Sequence, residues 1–329
     1  MKPGARRRIL VTGSRGKSST VRLLHAAMQG AGLKSYARIT GVVPRELGPE
    51  GTRTISRSSG AHVEEMRWWL RRLPAATQGI VLENSAISPD LQILAGRWLQ
   101  PNVTILTNIL PDHQEVWGPT RACAAEVLVA GIPKRGKVIL AADLETDGQL
   151  LELLERRRCQ IEFSEPVPEA GESYKTANLG LALAAVEHLG LDAGPALQTM
   201  LNVHQDRYDF QVVKYGGAEM AMAFSANDIA STKALFRSLP WSPCETRLIY
   251  NHRTDRPGRF RSFVNWLNNA NWREVLIIGD KPAMRLDSGR YLNIKNEESL
   301  LRLFQPGDRI FGCGNIAGLP LSLAAAVGR

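Results

Sequence analysis

The chain has 329 residues, 44% of them hydrophobic and 22% charged, with 41 Lys and Arg against 32 Asp and Glu for a formal net charge of +9. That length predicts two domains, each able to bury a core, and no run of about eighteen apolar residues offers a membrane span, so a soluble chain is expected. Cys123, Cys159, Cys244 and Cys313 are far apart and form no C-x-x-C pair, which argues against a zinc site or disulfide framework and for reduced thiols.

The basic start, Met1 to Arg8, leads into an apolar stretch only a strand long, so no signal peptide is expected and the protein is read as cytoplasmic. Ile9-Leu10-Val11-Thr12 has strand composition and runs straight into Gly13-Ser14-Arg15-Gly16-Lys17-Ser18-Ser19-Thr20. Residues 21–28 then carry apolar side chains at helical spacing. A glycine-containing turn from strand to helix reads as a phosphate cradle. Gly13 and Gly16 allow positive φ and close backbone approach, successive N–H groups point at one anion, and the helix N-terminus adds partial positive charge. Lys17 is placed to reach the β- and γ-phosphates, and Ser18 to put a hydroxyl on Mg²⁺. The general pattern asks for glycine where Val11 stands, which leaves G-x-x-G-K-S. A glycine turn with a solvated lysine is the plain alternative; nucleotide binding is the working expectation.

Residues 34–39 predict a second strand. The Gly/Pro/Arg/Ser-rich stretch from Thr40 through Gly60 reads as a long functional loop, to which Arg45, Arg53 and Arg57 give an anion-binding character. Val63, Met66, Trp69, Leu70 and Leu73 fall at helical spacing and predict a buried stripe. Residues 79–84 predict a buried strand ending in a carboxylate. The carboxyl ends of parallel strands line the ligand crevice of an α/β sheet, so Glu83 is a metal-ligand candidate. Residues 102–108 repeat the arrangement and lead to Pro111-Asp112-His113, where a histidine in a strand-end loop is a second ligand candidate.

A helix at residues 121–129, strand at 137–140, helix at 149–154, strand at 160–163 and helix at 177–189 continue the alternation and predict a mostly parallel sheet. Residues 190–195 read as the start of a connecting region, with the domain boundary near residues 203–208. Residues 211–215 and 219–224 flank Gly216-Gly217 as a hairpin. Strands at 247–250, 274–278 and 309–312 then alternate with helices at 230–238, 260–268, 297–304 and 319–327. The expected fold is α/β: a P-loop domain over residues 1–204 and a smaller C-terminal α/β domain over residues 205–329.

G-S-R-G-K-S-S, the strand-end Glu83, T-N-I-L-P-D-H-Q-E-V-W-G at residues 107–118 and Asn178 on a small-residue helix resemble, in order and spacing, the Mur ligase superfamily of ATP-dependent amide ligases. I-T-G-V-V-P-R, A-N-D-I-A-S-T, N-H-R-T-D-R and the terminal G-C-G-N-I-A-G carry the resemblance, over nearly the whole chain, to its branch of poly-γ-glutamate synthase ligase subunits. The resemblance implies that Gly13, Ser14, Arg15, Gly16, Lys17, Ser18 and Ser19 hold the phosphates of ATP. It also implies that Ser18 and Glu83 hold a first Mg²⁺, that His113 contacts a second, and that Lys17, Glu83 and His113 form the catalytic set. Asn178 matches a position that contacts the adenine, and Asn227, Asp228, Arg253, Asp255 and Arg256 match motifs of a C-terminal domain that closes over the nucleotide. Two features depart from the pattern. No lysine stands between His113 and Lys134 to become the carbamylated metal bridge of many Mur ligases. The apolar anchor that tends to open capsule-synthase ligase subunits is absent, which leaves a membrane partner subunit as the expected route of recruitment.

A carboxylate is a poor acyl donor; ATP turns it into an acyl phosphate, and an amine then displaces phosphate. The protein positions the reactants and neutralises charge with Lys, Arg and Mg²⁺. Glutamate or a γ-glutamyl chain is the expected substrate, and Arg38, Arg45 and Arg57 are expected to offset its charge beside triphosphate. Two other readings stay open: the same reaction on another amino acid in a small-molecule pathway, and a non-catalytic P-loop protein that binds a polyanion. Nucleic acid is not expected, since no such module is present and Glu83 and Asp112 would repel phosphates unless metal-bound. The oligomeric state is left undefined.

Overall fold

The computed structural model describes residues 7–57, 60–168, 173–284 and 286–327. It divides into two units, Met1–Val203 and His204–Arg329.

The first unit runs β1 (Arg7–Thr12), α1 (Lys17–Gly30), β2 (Ser35–Ile39), β3 (Arg45–Gly48), β4 (Gly51–Thr54), α2 (Glu64–Arg72), β5 (Gly79–Glu83), α3 (Gln92–Leu99), β6 (Val103–Leu106), α4 (Gln114–Trp117), α5 (Arg121–Ala130), β7 (Lys137–Ala141), α6 (Gly148–Arg156), β8 (Gln160–Ser164), α7 (Ser173–His188) and α8 (Ala193–Leu201). Its eight strands lie in the order β4-β3-β2-β5-β1-β6-β7-β8. All neighbours are parallel except β2–β3 and β3–β4. The central strands are apolar on both faces because helices cover both. Ile9, Val11, Val81 and Ile105 pack with Val21, Leu24 and Met28 of α1 and with Leu181 and Ala185 of α7. On the opposite face Leu10, Ile80 and Leu82 pack with Met66 and Trp69 of α2 and Ala95 and Leu99 of α3. The order β5-β1-β6 sets the ends at Glu83, Thr12 and Leu106 side by side, as the sequence predicted.

The sequence reading named no element at α3, at α4 or at Gly289–Tyr291, which is a strand, and two stretches that it read as loop or connection hold regular structure. The expected loop from Thr40 to Gly60 contains a hairpin that extends the sheet edge: Arg45 pairs with Thr54 and Gly48 with Gly51 around Pro49-Glu50. Every residue of β4 is exposed, so no apolar alternation marked it as a strand. The connecting region read at residues 190–195 also holds the start of α8. The Asp192 carboxylate accepts the Gly194 N–H at 3.0 Å, and Pro195 sits in the first turn, where a missing N–H leaves no gap in the helix.

The second unit comprises β9 (Val212–Tyr215), β10 (Ala218–Met222), α9 (Ile229–Arg237), β11 (Thr246–His252), α10 (Pro257–Asn269), β12 (Glu274–Gly279), β13 (Gly289–Tyr291), α11 (Glu297–Leu301), β14 (Arg309–Gly314) and α12 (Leu319–Val327). The strand order is β13-β12-β11-β14-β10-β9; only the β9–β10 hairpin is antiparallel. Phe236 of α9 and Phe260 and Phe263 of α10 pack with Tyr250 and Phe311 on one face. Leu300, Leu301, Leu323 and Ala324 pack with Ile249 and Ile310 on the other. Because α9 and α10 lie on one face and α11 and α12 on the other, the neighbours β11 and β14 lead into connections on opposite faces. Their carboxyl ends are therefore the topological switch point of the sheet, the place where open α/β sheets bind ligands.

Candidate active site

The turn from β1 to α1 is built on two glycines with left-handed backbone, Gly13 at φ 131° and Gly16 at φ 80°. A Cβ on Gly13 would fall 2.1 Å from the Thr107 hydroxyl oxygen, and one on Gly16 2.5 Å from Asn178 Oδ1, so neither position admits a side chain. Helix α1 opens on Gly16 with no side-chain cap and no acidic residue in its first turn. Its N–H groups and partial positive charge are left for an anion.

The segment after β6 holds this turn in place. Ser14 N–H donates to the Asn108 carbonyl at 3.2 Å, and its hydroxyl to the Leu110 carbonyl at 2.6 Å. Arg15 N–H donates to Asn108 Oδ1 at 3.0 Å. The Arg15 carbonyl accepts from Thr107 Oγ1 at 2.5 Å and from Asn108 Nδ2 at 3.1 Å. The Arg15 guanidinium meets Asp112 Oδ2 at 2.7 Å. Lys17 folds over the turn and donates from Nζ to the Gly13 carbonyl at 2.6 Å and the Ser14 carbonyl at 3.3 Å. Burial lowers its pKa from the usual lysine value, opposed by the charge of Glu83 and reinforced by that of Arg15.

Glu83 ends β5 beside this turn and is 3% exposed. Ser18 Oγ donates to its Oε2 at 2.8 Å, Thr40 N–H to Oε2 at 3.1 Å, and Thr40 Oγ1 to Oε1 at 3.0 Å. Ser18 and Glu83, expected from the sequence to share a Mg²⁺, thus lie in contact with each other, and Thr40 is an addition; it lies in the I-T-G-V-V-P-R stretch but offered no signal of its own.

His113 adopts φ 45°, a left-handed backbone that it shares with Gln100, Arg135, Arg158 and Asn271. It precedes α4, its ring lies 5.2 Å from that of Trp117, and its Nε2 stands 3.6 Å from Asp112 Oδ2. Burial raises the Asp112 pKa, but Arg15 by charge and hydrogen bond, then His113 and Lys17, outweigh it and hold the carboxyl down to about 2. Among the described residues no three His, Cys, Asp or Glu side chains gather as a metal cage. The donor set at Ser18 and Glu83, one carboxylate and one hydroxyl, fits Mg²⁺, which keeps waters and takes phosphate oxygens.

Asn178 of α7 is buried against Gly16, and its Oδ1 accepts from Thr20 Oγ1 at 3.4 Å. Two arginines expected to offset substrate charge share one carboxylate: Arg57 donates to Glu65 at 2.7 and 2.9 Å, and the buried Arg38 to the same carboxylate at 2.5 Å. The sequence missed this because Glu65 carries no mark distinguishing it from any helix-start glutamate.

In the second unit Asp228 caps α9, accepting the Ser231 N–H at 2.8 Å. Asn227 Oδ1 accepts from Arg259 at 3.0 Å, and Arg259 also bonds Asn315 Oδ1. Asn251 at the end of β11 donates to the carbonyls of Asn315 and Ala317 at 2.6 and 2.9 Å. Arg253 and Asp255 form a two-pronged pair at 2.9 and 2.6 Å, and Arg256 Nε lies 4.0 Å from Asp255. Asn315 bridges the carboxyl ends of β11 and β14 through Asn251 and holds Arg259; neither Arg259 nor Asn315 was singled out from sequence.

A glycine turn feeding an uncapped helix, a lysine over the turn and a hydroxyl on a buried strand-end carboxylate define a nucleotide-dependent α/β protein of the P-loop kind. Residues 11–187 match the Mur ligase middle domain and residues 207–329 the poly-gamma-glutamate synthase CapB C-terminal domain. The chain belongs to the Mur ligase family, and it is an ATP-dependent amide ligase. The capsule biosynthesis protein CapB of Bacillus anthracis is 26% identical over 344 residues, covering 94% of this chain and 74% of the relative. The PGA synthase CapB of Bacillus subtilis strain 168 is 26% identical over 348 residues, covering 94% and 87%. Among solved structures, E. coli FolC in complex with ADP matches with a TM-score of 0.68 at 16% identity, covering 99% of this chain and 89% of that one. MurF from Acinetobacter baumannii matches with a TM-score of 0.66 at 14% identity, covering 98% and 76%. These two share the fold.

Proposed function

We propose that the chain joins glutamate units into a γ-linked polymer, with ATP and Mg²⁺, through an acyl phosphate. The Ser18–Glu83–Thr40 cluster beside the Lys17 turn supports the Mg²⁺ and ATP part of the reading, and the similarity to the two CapB proteins supports glutamate as the unit joined. A carboxylate oxygen attacks the γ-phosphorus, ADP leaves, the amine nitrogen attacks the acyl carbon, and phosphate departs with the oxygen that came from the carboxylate. Mg²⁺ at Glu83 and Ser18 supplies charge neutralisation to the terminal phosphates. Residues Gly13 to Ser19 receive those phosphates, Lys17 exchanges its two carbonyl partners for phosphate oxygens, and His113 faces a second metal. Asn178 stands at the adenine.

Residues 1–204 form the ATP-binding part in this reading, and residues 205–329 close over the nucleotide with Asn227, Asp228, Arg253, Asp255 and Arg256. The ligase works in the cytoplasm, and a membrane partner subunit of a capsule synthase recruits it. Among the described residues no helix is long and apolar enough to cross a membrane.

With amine withheld and hydroxylamine added, the glutamyl acceptor should yield a hydroxamate, and ¹⁸O from its carboxylate should enter the released phosphate. AMP and pyrophosphate as products, or phosphate without the label, would overturn the mechanism.

A further inference from the structure

The first unit concentrates positive charge along its hairpin edge. Residues 36–72 hold seven arginines and four glutamates and no lysine or aspartate. The sheet register aligns several of them: Leu82, Arg38, Glu46 and Arg53 lie directly opposite one another across β5, β2, β3 and β4. Residues in such a row share one face, here the face on which α2 lies.

Glu46 accepts from Arg53 at 2.6 Å and from Arg72 of α2 at 3.3 Å. Glu65 takes Arg57 and Arg38 as described above. Two carboxylates thus serve four guanidiniums, and each guanidinium has five N–H donors in a fixed fork. The Glu46 side chain is 16% exposed, whereas those of Arg53 and Arg72 are 76% and 66% exposed. The acid lies beneath and orients two outward forks. At the inner end of the row the Arg38 side chain is 2% exposed, and its NH1 has no hydrogen-bond partner among the described residues. A solvated surface pair gives no reason to bury an arginine with an unused donor, since burying charge is costly and exposed pairs contribute little.

We propose that this arginine row is a subsite for the carboxylates of a γ-linked glutamyl chain. Arg53 and Arg72 receive them, and Arg38 and Arg57, fixed by Glu65, form the inner wall. The inference rests on the glutamyl-ligase reading above. Arginine suits the task because its planar fork meets a carboxylate through two parallel hydrogen bonds. A polymer with one carboxylate per unit engages several forks at once. The row also adjoins the chemistry: Thr40, two residues beyond Arg38, holds Glu83.

The test is equilibrium binding of a fluorescein-labelled, γ-linked glutamate decamer, read by anisotropy at low salt on the full chain. The Arg53→Ala/Arg72→Ala protein, altered only at exposed side chains and checked for an unchanged melting temperature, should bind at least about 5-fold more weakly. Its salt dependence should be shallower, its KM for ATP should stay the same, and the Arg53→Lys/Arg72→Lys protein should recover little. Equal binding by wild type and variant, or no binding by wild type, would overturn the proposal. So would the same loss with a single-stranded oligonucleotide of equal charge, which would make the row a general anion patch. Failure of hydroxamate formation by wild type speaks to the ligase reading, whereas anisotropy reads the row directly.

Discussion

Replacing Glu83 by glutamine separates what this side chain does for the fold from what it does for a cation. Glu83 is 3% exposed and accepts three hydrogen bonds, from Ser18 Oγ and Thr40 N–H at one oxygen and from Thr40 Oγ1 at the other. A glutamine oxygen in the Oε2 position keeps the first two. Its amide nitrogen then donates to the Thr40 hydroxyl, which rotates to accept. The Thr40 hydroxyl hydrogen and the second amide hydrogen are left to find other acceptors, so Glu83→Gln should cost about 1–2 kcal/mol of stability. Glu83→Ala removes the acceptor from two hydroxyls and one backbone N–H; at about 1–3 kcal/mol for each buried group left unsatisfied, it should cost about 3 kcal/mol or more. Activity should divide differently, because both variants lose the anionic oxygen. Glu83→Gln should lower kcat/KM about 100-fold, near 2.7 kcal/mol, and raise the Mg²⁺ concentration for half-maximal ADP release. Urea unfolding and an Mg²⁺ titration of ADP release measure the two effects. A Glu83→Gln protein with wild-type turnover and an unmoved Mg²⁺ midpoint would reduce Glu83 to a brace for Ser18 and Thr40.

Lys17→Ala should stay within about 1 kcal/mol of wild-type stability, because removing a charge that burial disfavours offsets the two lost hydrogen bonds to carbonyls of the turn, yet lose ATP turnover; an active Lys17→Ala protein would refute the loop assignment. His25 of α1 is buried, with Nδ1 3.1 Å from the Ser35 hydroxyl, and burial lowers its pKa to about 4. The unfolded chain therefore binds the proton first, so stability is complete above about pH 6.5 and falls as pH drops toward 4, by about 2 kcal/mol between pH 7 and pH 5. His25→Gln should remove that slope from the difference between urea curves at the two pH values, and an unchanged slope would place its origin elsewhere.

The sequence was most legible where periodicity and composition agree. The fully buried β5 and the amphipathic α6 announce themselves, and Gly216-Gly217 between two strand-like runs fixed the β9–β10 hairpin. It was least legible where an element is held by its neighbours. β4 has two threonines that suit a strand, but it buries no face, so without the hydrogen bonds that β3 offers nothing marks it as one. α8 begins at a Gly-Pro pair that ordinarily signals a turn and is helical because Asp192 caps it. At the site, Lys17, Ser18 and Glu83 could be named from residue types in order along the chain. Thr40, Arg259 and Asn315 could not, because only the strand order brings them to their partners.

The same distinction explains the missing glycine of the phosphate-loop pattern. Val11 occupies its place because β1 continues through Thr12: Val11 is fully buried, paired with Glu83 on one side and Ile105 on the other. The turn therefore starts two residues later, at Gly13, and is short. A short turn has few internal contacts with which to hold its N–H groups in one direction, and here the β6 segment provides them. Thr107 and Asn108 fix the Arg15 peptide from both sides, Leu110 takes the Ser14 hydroxyl, and Asp112 anchors the Arg15 side chain. T-N-I-L-P-D-H draws notice for its Asp and His, the residues with metal and proton chemistry. Its threonine and asparagine do the more basic task. They let a G-x-x-G-K-S turn hold the conformation that a longer glycine-rich loop reaches by itself, at the point where two parallel strands end together.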